Sequence, residues 1–166
     1  MKFGRWIDEV IEYKIYCDMD GVLTDWNEAI NRLDPNFDNI PTKKEKWDKI
    51  DAEGVKFWSN MKWLKDGRKL WNYIKDKNVK ILSAHAKNRF LAIEGKKDWL
   101  RKNIGAVVAK QAIITAKDKK KNYSDGNSIL IDDREDNIKE WKSKSGIGIL
   151  YKSATNTIKQ LKRIGI

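Results

Sequence analysis

Five short apolar runs, many of their residues β-branched, recur along this chain at residues 13–17, 79–82, 112–115, 128–131 and 147–151, and helical patterns separate them. Strand-like runs alternating with helices imply βαβ units, and therefore a parallel sheet covered by helices. The helix signals are legible. Asp66 is placed to cap a helix carrying Leu70, Tyr73 and Ile74 on one side. Residues 88–103 put Phe90, Ile93 and Leu100 at helical spacing and stop before Gly105. Residues 135–144 carry Ile138 and Trp141 ahead of Gly146, and Ala154, Ile158 and Leu161 mark a last helix. The alternation breaks once, after the first strand. Both prolines, Pro35 and Pro41, and the aromatics Phe37, Trp47, Phe57 and Trp58 fall in that stretch. Residues 26–61 are therefore expected to form a small helical cap, with residues 1–25 and 62–166 as the core domain. In open parallel α/β sheets ligands bind at the carboxyl ends of the strands, so the insert is placed to cover a site.

A length of 166 residues suits one domain with a real core. No apolar run approaches the roughly 20 residues that cross a bilayer, and the charged N-terminus lacks the apolar middle of a secretory leader. One cysteine rules out an internal disulfide and fits a reducing, cytoplasmic compartment. One cysteine and one histidine also exclude the usual zinc sites. The net charge of +11 points to anionic partners, either nucleotides or nucleic acid. A membrane partner is not expected, because no basic amphipathic helix has a clean apolar face. Lysines spread along solvated helices account for much of that charge equally well.

The chemistry gathers where the strands end. The first is followed by CDMDGVLTD, which places Asp18, Asp20 and Asp25 around Gly21. Carboxylates this close repel one another unless a cation offsets them. The second strand exits into Ser83, Ala84 and His85, and the fourth into Asp132 and Asp133, with the lysine cluster 117–121 just ahead of it. Carboxylates, a hydroxyl and an ammonium group on one crevice are the equipment for phosphoryl transfer, with hard oxygen ligands favouring Mg²⁺. Asp18 and Asp20 share a strand face at i and i+2. Gly21 lets the chain turn sharply behind them.

In content and order, D-x-D-G-V at residues 18–22, Ser83, a lysine within 117–121 and the acidic pair Asp132-Asp133 resemble the haloacid dehalogenase (HAD) superfamily of phosphatases. DMDGVLTD, ILSA and ILIDDREDNI more narrowly resemble its 5'(3')-deoxyribonucleotidase branch and phage-type relatives. The resemblance implies a Rossmann-like α/β fold and a Mg²⁺-dependent phosphomonoesterase acting on nucleoside monophosphates. It assigns Asp18 as the nucleophile that forms an aspartyl-phosphate, and Asp20 as the acid and then the base. Metal ligands would be Asp18, the backbone carbonyl of Asp20 and Asp133, with Asp132 as ligand or neighbour. Ser83, Ala84 and a lysine would bind phosphate. The stretch IITAKDK favours Lys119, with Lys117, Lys120 and Lys121 left open.

Other residues carry plainer readings. Asp25 is expected to cap the following helix. Cys17 is expected to be a small buried residue, and Trp71, Trp99 and Trp141 to be core. Trp26, Phe57, Trp58 and Trp63 are expected to pack the insert. Two competing functions remain at this level: a phosphatase for phosphorylated nucleic-acid ends, with lysines 96–97 and 117–121 along the strand path, and a non-catalytic basic nucleic-acid-binding module. No G-x-x-x-x-G-K-[ST] sequence is present to suggest a kinase.

Overall fold

The computed structural model describes residues 11–166. Residues 1–10, which bear on the leader reading and open the expected core domain, lie outside the described residues. Five parallel strands, β1 (Lys14–Cys17), β2 (Val79–Ala84), β3 (Ile113–Thr115), β4 (Ser128–Asp132) and β5 (Ile147–Leu150), form one sheet in the order β3-β2-β1-β4-β5. The chain builds outward from β1 to β3 on one side, then returns to add β4 and β5 on the other. That reversal places a topological switch point at the carboxyl ends of β1 and β4.

Strand periodicity divides the core in two. Ile15, Cys17, Ile81, Ile129, Ile131 and Ile149 face one side of the sheet. Tyr16, Leu82 and Leu130 face the other. The first face is covered by α4 (Gly67–Ile74), α5 (Arg89–Asn103) and α8 (Ala154–Ile164), through Leu70, Ile74, Trp99, Leu100 and Leu161. The second takes α7 (Glu135–Lys142), whose Ile138 and Trp141 pack on Tyr16 and Leu130. Trp71, Trp99 and Trp141 are buried, as is Cys17. Burial, before the nearby Asp18 and Asp132 charges, pushes the Cys17 thiol well up, as befits an inert packing residue.

Between β1 and α4 lie α1 (Trp26–Leu33), a 3₁₀ turn at Phe37–Asn39, α2 (Lys43–Ala52) and α3 (Val55–Ser59). Asp25 caps α1, accepting from the Glu28 amide at 2.9 Å. Thr42 and Glu45 form a capping box at α2. Trp26 packs against Trp47, Phe57 and Trp58, so the aromatics of this insert do pack together. The insert is not walled off from the core. Phe37, Ile50, Phe57 and Trp58 belong to the same buried cluster as Cys17 and Trp99. A Cβ on Gly95 of α5 would stand 2.4 Å from Trp58 Cβ, so glycine is what lets α3 lie directly on α5.

Three details depart from the sequence reading. Asp66 sits at the N-cap of α4 without a side-chain capping bond. Its carboxylate instead accepts from the Tyr151 hydroxyl and the Ala154 amide, across to the start of α8. Gly105 does not simply stop α5: it opens a short α6 (Ala106–Gln111) that the pattern did not announce. Phe90, placed on the packing side of α5, is 67% exposed. The buried stripe of that helix runs through Ala92, Gly95, Lys96, Trp99 and Leu100 instead.

Candidate active site

The register of the sheet assembles the site. Cys17 pairs with Ile81 and Ile131, so one residue further Asp18 stands level with Leu82 and Asp132, and its amide donates to the Ile131 carbonyl at 3.0 Å. The chain then folds back in a tight flap. The Val22, Leu23 and Thr24 amides all donate to the Met19 carbonyl, and Gly21 adopts a φ of 78°. A Cβ on Gly21 would lie 2.2 Å from Asp133 Oδ2, so the bare glycine leaves the room that the Asp133 carboxylate occupies.

A crevice of about 820 Å³ opens at these strand ends. Asp18, Asp20, Ser83, Ala84, His85 and Asp133 all line it. Trp26, Trp47 and Trp58 line it from the insert. All the acids expected here except Asp132 reach the open space, and Asp132 lies fully buried just behind. His85 turns its Nδ1 to the Ala86 carbonyl at 2.9 Å.

Two buried lysines organise the polar groups. Lys120 Nζ is 2.9 Å from Asp18 Oδ1 and 2.8 Å from Asp132 Oδ2. Burial works against its charge, but the Asp18 and Asp132 carboxylates outweigh it and hold the ammonium well above its ordinary value. Asp132 is further fixed by Asn137 Nδ2 at 3.0 and 2.9 Å and by the Arg134 amide at 2.9 Å. Lys119, the favoured phosphate ligand in the sequence, faces away. Its side chain is exposed, 3.7 Å from Asp118. Residues Lys117–Tyr123 form a 3₁₀ helix, in which i and i+3 share a face. Lys117 and Lys120 therefore reach the crevice together, while Tyr123 packs toward Tyr16.

The second lysine is Lys96 of α5, only 1% exposed and not among the expected site residues. Its ammonium donates to Asp20 Oδ2 at 2.7 Å, Ser83 Oγ at 2.9 Å and the Ala84 carbonyl at 2.6 Å, and lies 5.1 Å from the centre of the Trp58 ring. It is an internal group, not a surface lysine on a strand path. Thr24 completes the set, donating to Asp20 Oδ1 at 3.1 Å.

The residues fit a divalent cation. Carboxylate oxygens of Asp18, Asp132 and Asp133 lie within 4.8 Å of one another. Asp18 Oδ1 is buried with a cation beside it but no hydrogen-bond donor aligned on it. Asp133 is accessible from the mouth, yet loss of hydration, then the charges of Asp18 and Asp132, push its carboxyl up to about 7. Two carboxyls, Asp132 and Asp133, whose ionisation is opposed by burial and by neighbouring charge, and an Asp18 oxygen without a donor are what a hard cation would satisfy. Asp18 and Asp133 offer open oxygens, whereas those of Asp132 are already taken by lysine, asparagine and backbone donors.

Comparison with known proteins agrees with this geometry. The family described as "5' nucleotidase, deoxy (Pyrimidine), cytosolic type C protein" matches residues 12–164. Comparison with curated protein sequences finds no match. Among solved structures, a hydrolase from Streptococcus pneumoniae TIGR4 superposes with a TM-score of 0.57 at 12% identity, covering 92% of this chain and 99% of that one. A putative beta-phosphoglucomutase from Thermotoga maritima gives 0.51 at 13% identity, with the same coverage. At such identities the likeness concerns the fold.

Proposed function

The chain belongs to the cytosolic type C 5'-deoxynucleotidase family of the HAD superfamily, and from that premise we propose that its crevice hydrolyses deoxynucleoside 5'-monophosphates through a phosphoryl group carried on Asp18. The observation that carries this reading is the convergence of Asp18, Asp20, Ser83, Lys96 and Lys120 on one crevice at the ends of β1, β2 and β4. The family is named cytosolic, and among the described residues no helix is long and apolar enough to cross a membrane. A cytoplasmic setting is part of the proposal.

Asp18 attacks the phosphorus, the bond to the 5'-oxygen breaks, and Asp20 supplies the proton that the departing alcohol needs. Asp20 then removes a proton from water as that water attacks phosphorus, the bond to Asp18 breaks, and inorganic phosphate leaves. Lys120 holds the nucleophile in place and faces the transferring group with a fixed positive charge. At rest both oxygens of Asp20 accept hydrogen bonds, from Lys96 and from Thr24. A substrate phosphate that draws Lys96 and Ser83 onto its own oxygens frees Asp20 Oδ2 to carry the proton. Magnesium, held by Asp18, Asp133 and the Asp20 carbonyl, would neutralise phosphate charge and polarise the phosphoryl oxygens. The tryptophans of the insert offer the base and sugar an apolar wall.

Phosphate release from deoxynucleoside 5'-monophosphates, measured with Mg²⁺ for the native protein and Asp18→Asn, tests the reading. Turnover should fall by several orders of magnitude in the variant, and EDTA should abolish it in the native protein. Unchanged turnover in Asp18→Asn, or full activity in EDTA, would refute it.

A further inference from the structure

The crevice holds more positive charge than one phosphate calls for. Lys120 lies deep in it and Lys96 is buried just behind its wall, and both are committed to the acids they touch. Nearer the mouth, Lys44 pairs with Asp48, and Lys117 and Arg134 share Asp136. Lys43, from the first turn of α2, and Lys87, from the loop after β2, line the same cavity. Among the described residues neither has an acid within ion-pair distance.

Two ammonium groups without an acidic partner add positive potential to one cavity, and no ion pair of the fold uses them. Lys43 in particular stands in the first turn of a helix, where the helix dipole disfavours a cation. They come from separate elements, the insert and the sheet-end loop, so their presence on one cavity is tertiary rather than an accident of a lysine-rich segment. The volume of 820 Å³ is toward the upper end of the roughly 300–1,000 Å³ of small-molecule sites, leaving room beyond one phosphate.

Building on the nucleotidase reading, we propose that Lys43 and Lys87 form a second phosphate subsite, so that this crevice selects nucleotides carrying another phosphate besides the one removed. Two sources supply that chemistry: the terminal phosphate of a nucleoside 3',5'-bisphosphate and the internucleotide phosphate of a 5'-phosphorylated oligonucleotide. A terminal phosphate offers up to two charges and an internucleotide one offers one, so the two sources are separable by comparison.

The test measures equilibrium binding, with Mg²⁺, to the catalytically disabled Asp18→Asn protein, so turnover is not required. The ligands are thymidine 5'-monophosphate, thymidine 3',5'-bisphosphate and 5'-phosphorylated dithymidylate. The same ligands are then measured on Asp18→Asn carrying Lys43→Ala and Lys87→Ala. The bisphosphate should bind roughly tenfold tighter than the monophosphate, about what one charge-assisted contact yields. The lysine substitutions should bring that ratio close to one. Matching gains for bisphosphate and dinucleotide would assign the subsite to any neighbouring phosphate, and a gain for the bisphosphate alone would assign it to a terminal one. Equal affinities for all three ligands, or a ratio that survives both substitutions, would overturn the proposal. Native turnover of the monophosphate, measured alongside, separates that result from failure of the nucleotidase reading.

Discussion

A lysine ammonium inside a protein keeps its charge only where carboxylates and hydrogen-bond acceptors replace the water it lost. Lys120 is 3% exposed and meets that condition with Asp18 and Asp132. Lys96 meets it with Asp20, Ser83 and the Ala84 carbonyl. Each therefore fixes one of the two reacting acids: substituting Lys120 leaves the buried Asp18 and Asp132 without their cation, and substituting Lys96 leaves the half-buried Asp20 without its own. Lys120→Met keeps the length of the side chain and removes the charge. It should lower kcat/KM by about 10²-fold or more, the scale of losing one preorganised electrostatic contact. It should also destabilise the fold by about 3–5 kcal/mol, as breaking a buried pair does. Lys119→Met, one residue away on the solvent side, should change activity less than about twofold. Kinetics and thermal melts of both proteins check this, and a larger effect at Lys119 would show that the 3₁₀ segment turns its other face inward during the reaction.

Between elements, a single carboxylate links the starts of two helices through residues 88 apart in the sequence. Burial acts to raise the Asp66 carboxyl, but the Tyr151 hydroxyl and the Ala154 amide overcome it and hold it below the usual range. A group depressed in this way stabilises the fold above its unfolded value of about 4, and that contribution disappears as pH falls through the lower folded value. Asp66→Asn should therefore cost about 1 kcal/mol at neutral pH, a modest figure because water reaches the site. The gap in melting temperature between variant and native protein should narrow progressively as pH falls below about 4. A gap that stays constant down to pH 2.5 would mean that shape, not charge, joins α4 to α8. This contact also shows where sequence reading stops. Asp18, Asp20, Ser83 and Asp133 were legible because each follows directly on a strand whose apolar run is plain. Asp66 looked like a local cap, since nothing in its own neighbourhood points to Ala154. The stripe of Ala92, Gly95, Trp99 and Leu100 was visible in principle, yet a lysine among them reads as surface until an acid from another strand is seen to meet it. Lys120 could not be told from Lys119 because five consecutive polar residues carry no hydrophobic phase.

Over the whole molecule, the chain carries an excess of 11 positive charges, and its crevice combines the floor acids Asp18, Asp20 and Asp133 with Lys43, Lys44, Lys87, Lys117 and Arg134 in its lining. Such a field attracts a nucleotide from a distance and leaves the chemistry at the floor to short, buried contacts. The two influences respond differently to salt. At 0.1 M ionic strength, charges more than about 10 Å apart in solvent are largely screened, while buried pairs are screened far less. Raising salt should therefore lower kcat/KM for a deoxynucleoside monophosphate, through slower capture, and leave kcat nearly constant. The decline should be gentle, since a mononucleotide presents only one phosphate. A protein that followed a nucleic-acid strand would instead lose affinity with a slope of about −0.7 in log K against log[salt] for each phosphate contacted on single strands. Steady-state kinetics between 20 and 500 mM salt, run beside binding of a 5'-phosphorylated oligonucleotide series, distinguish the two. With Lys43 and Lys87 as the only unpaired cations lining the mouth among the described residues, lengthening the oligonucleotide past the second phosphate should add no further slope. A slope that keeps growing with each added nucleotide would mean that the surface lysines beyond the crevice form a continuous path, and that the +11 charge serves strand binding rather than capture of a small substrate.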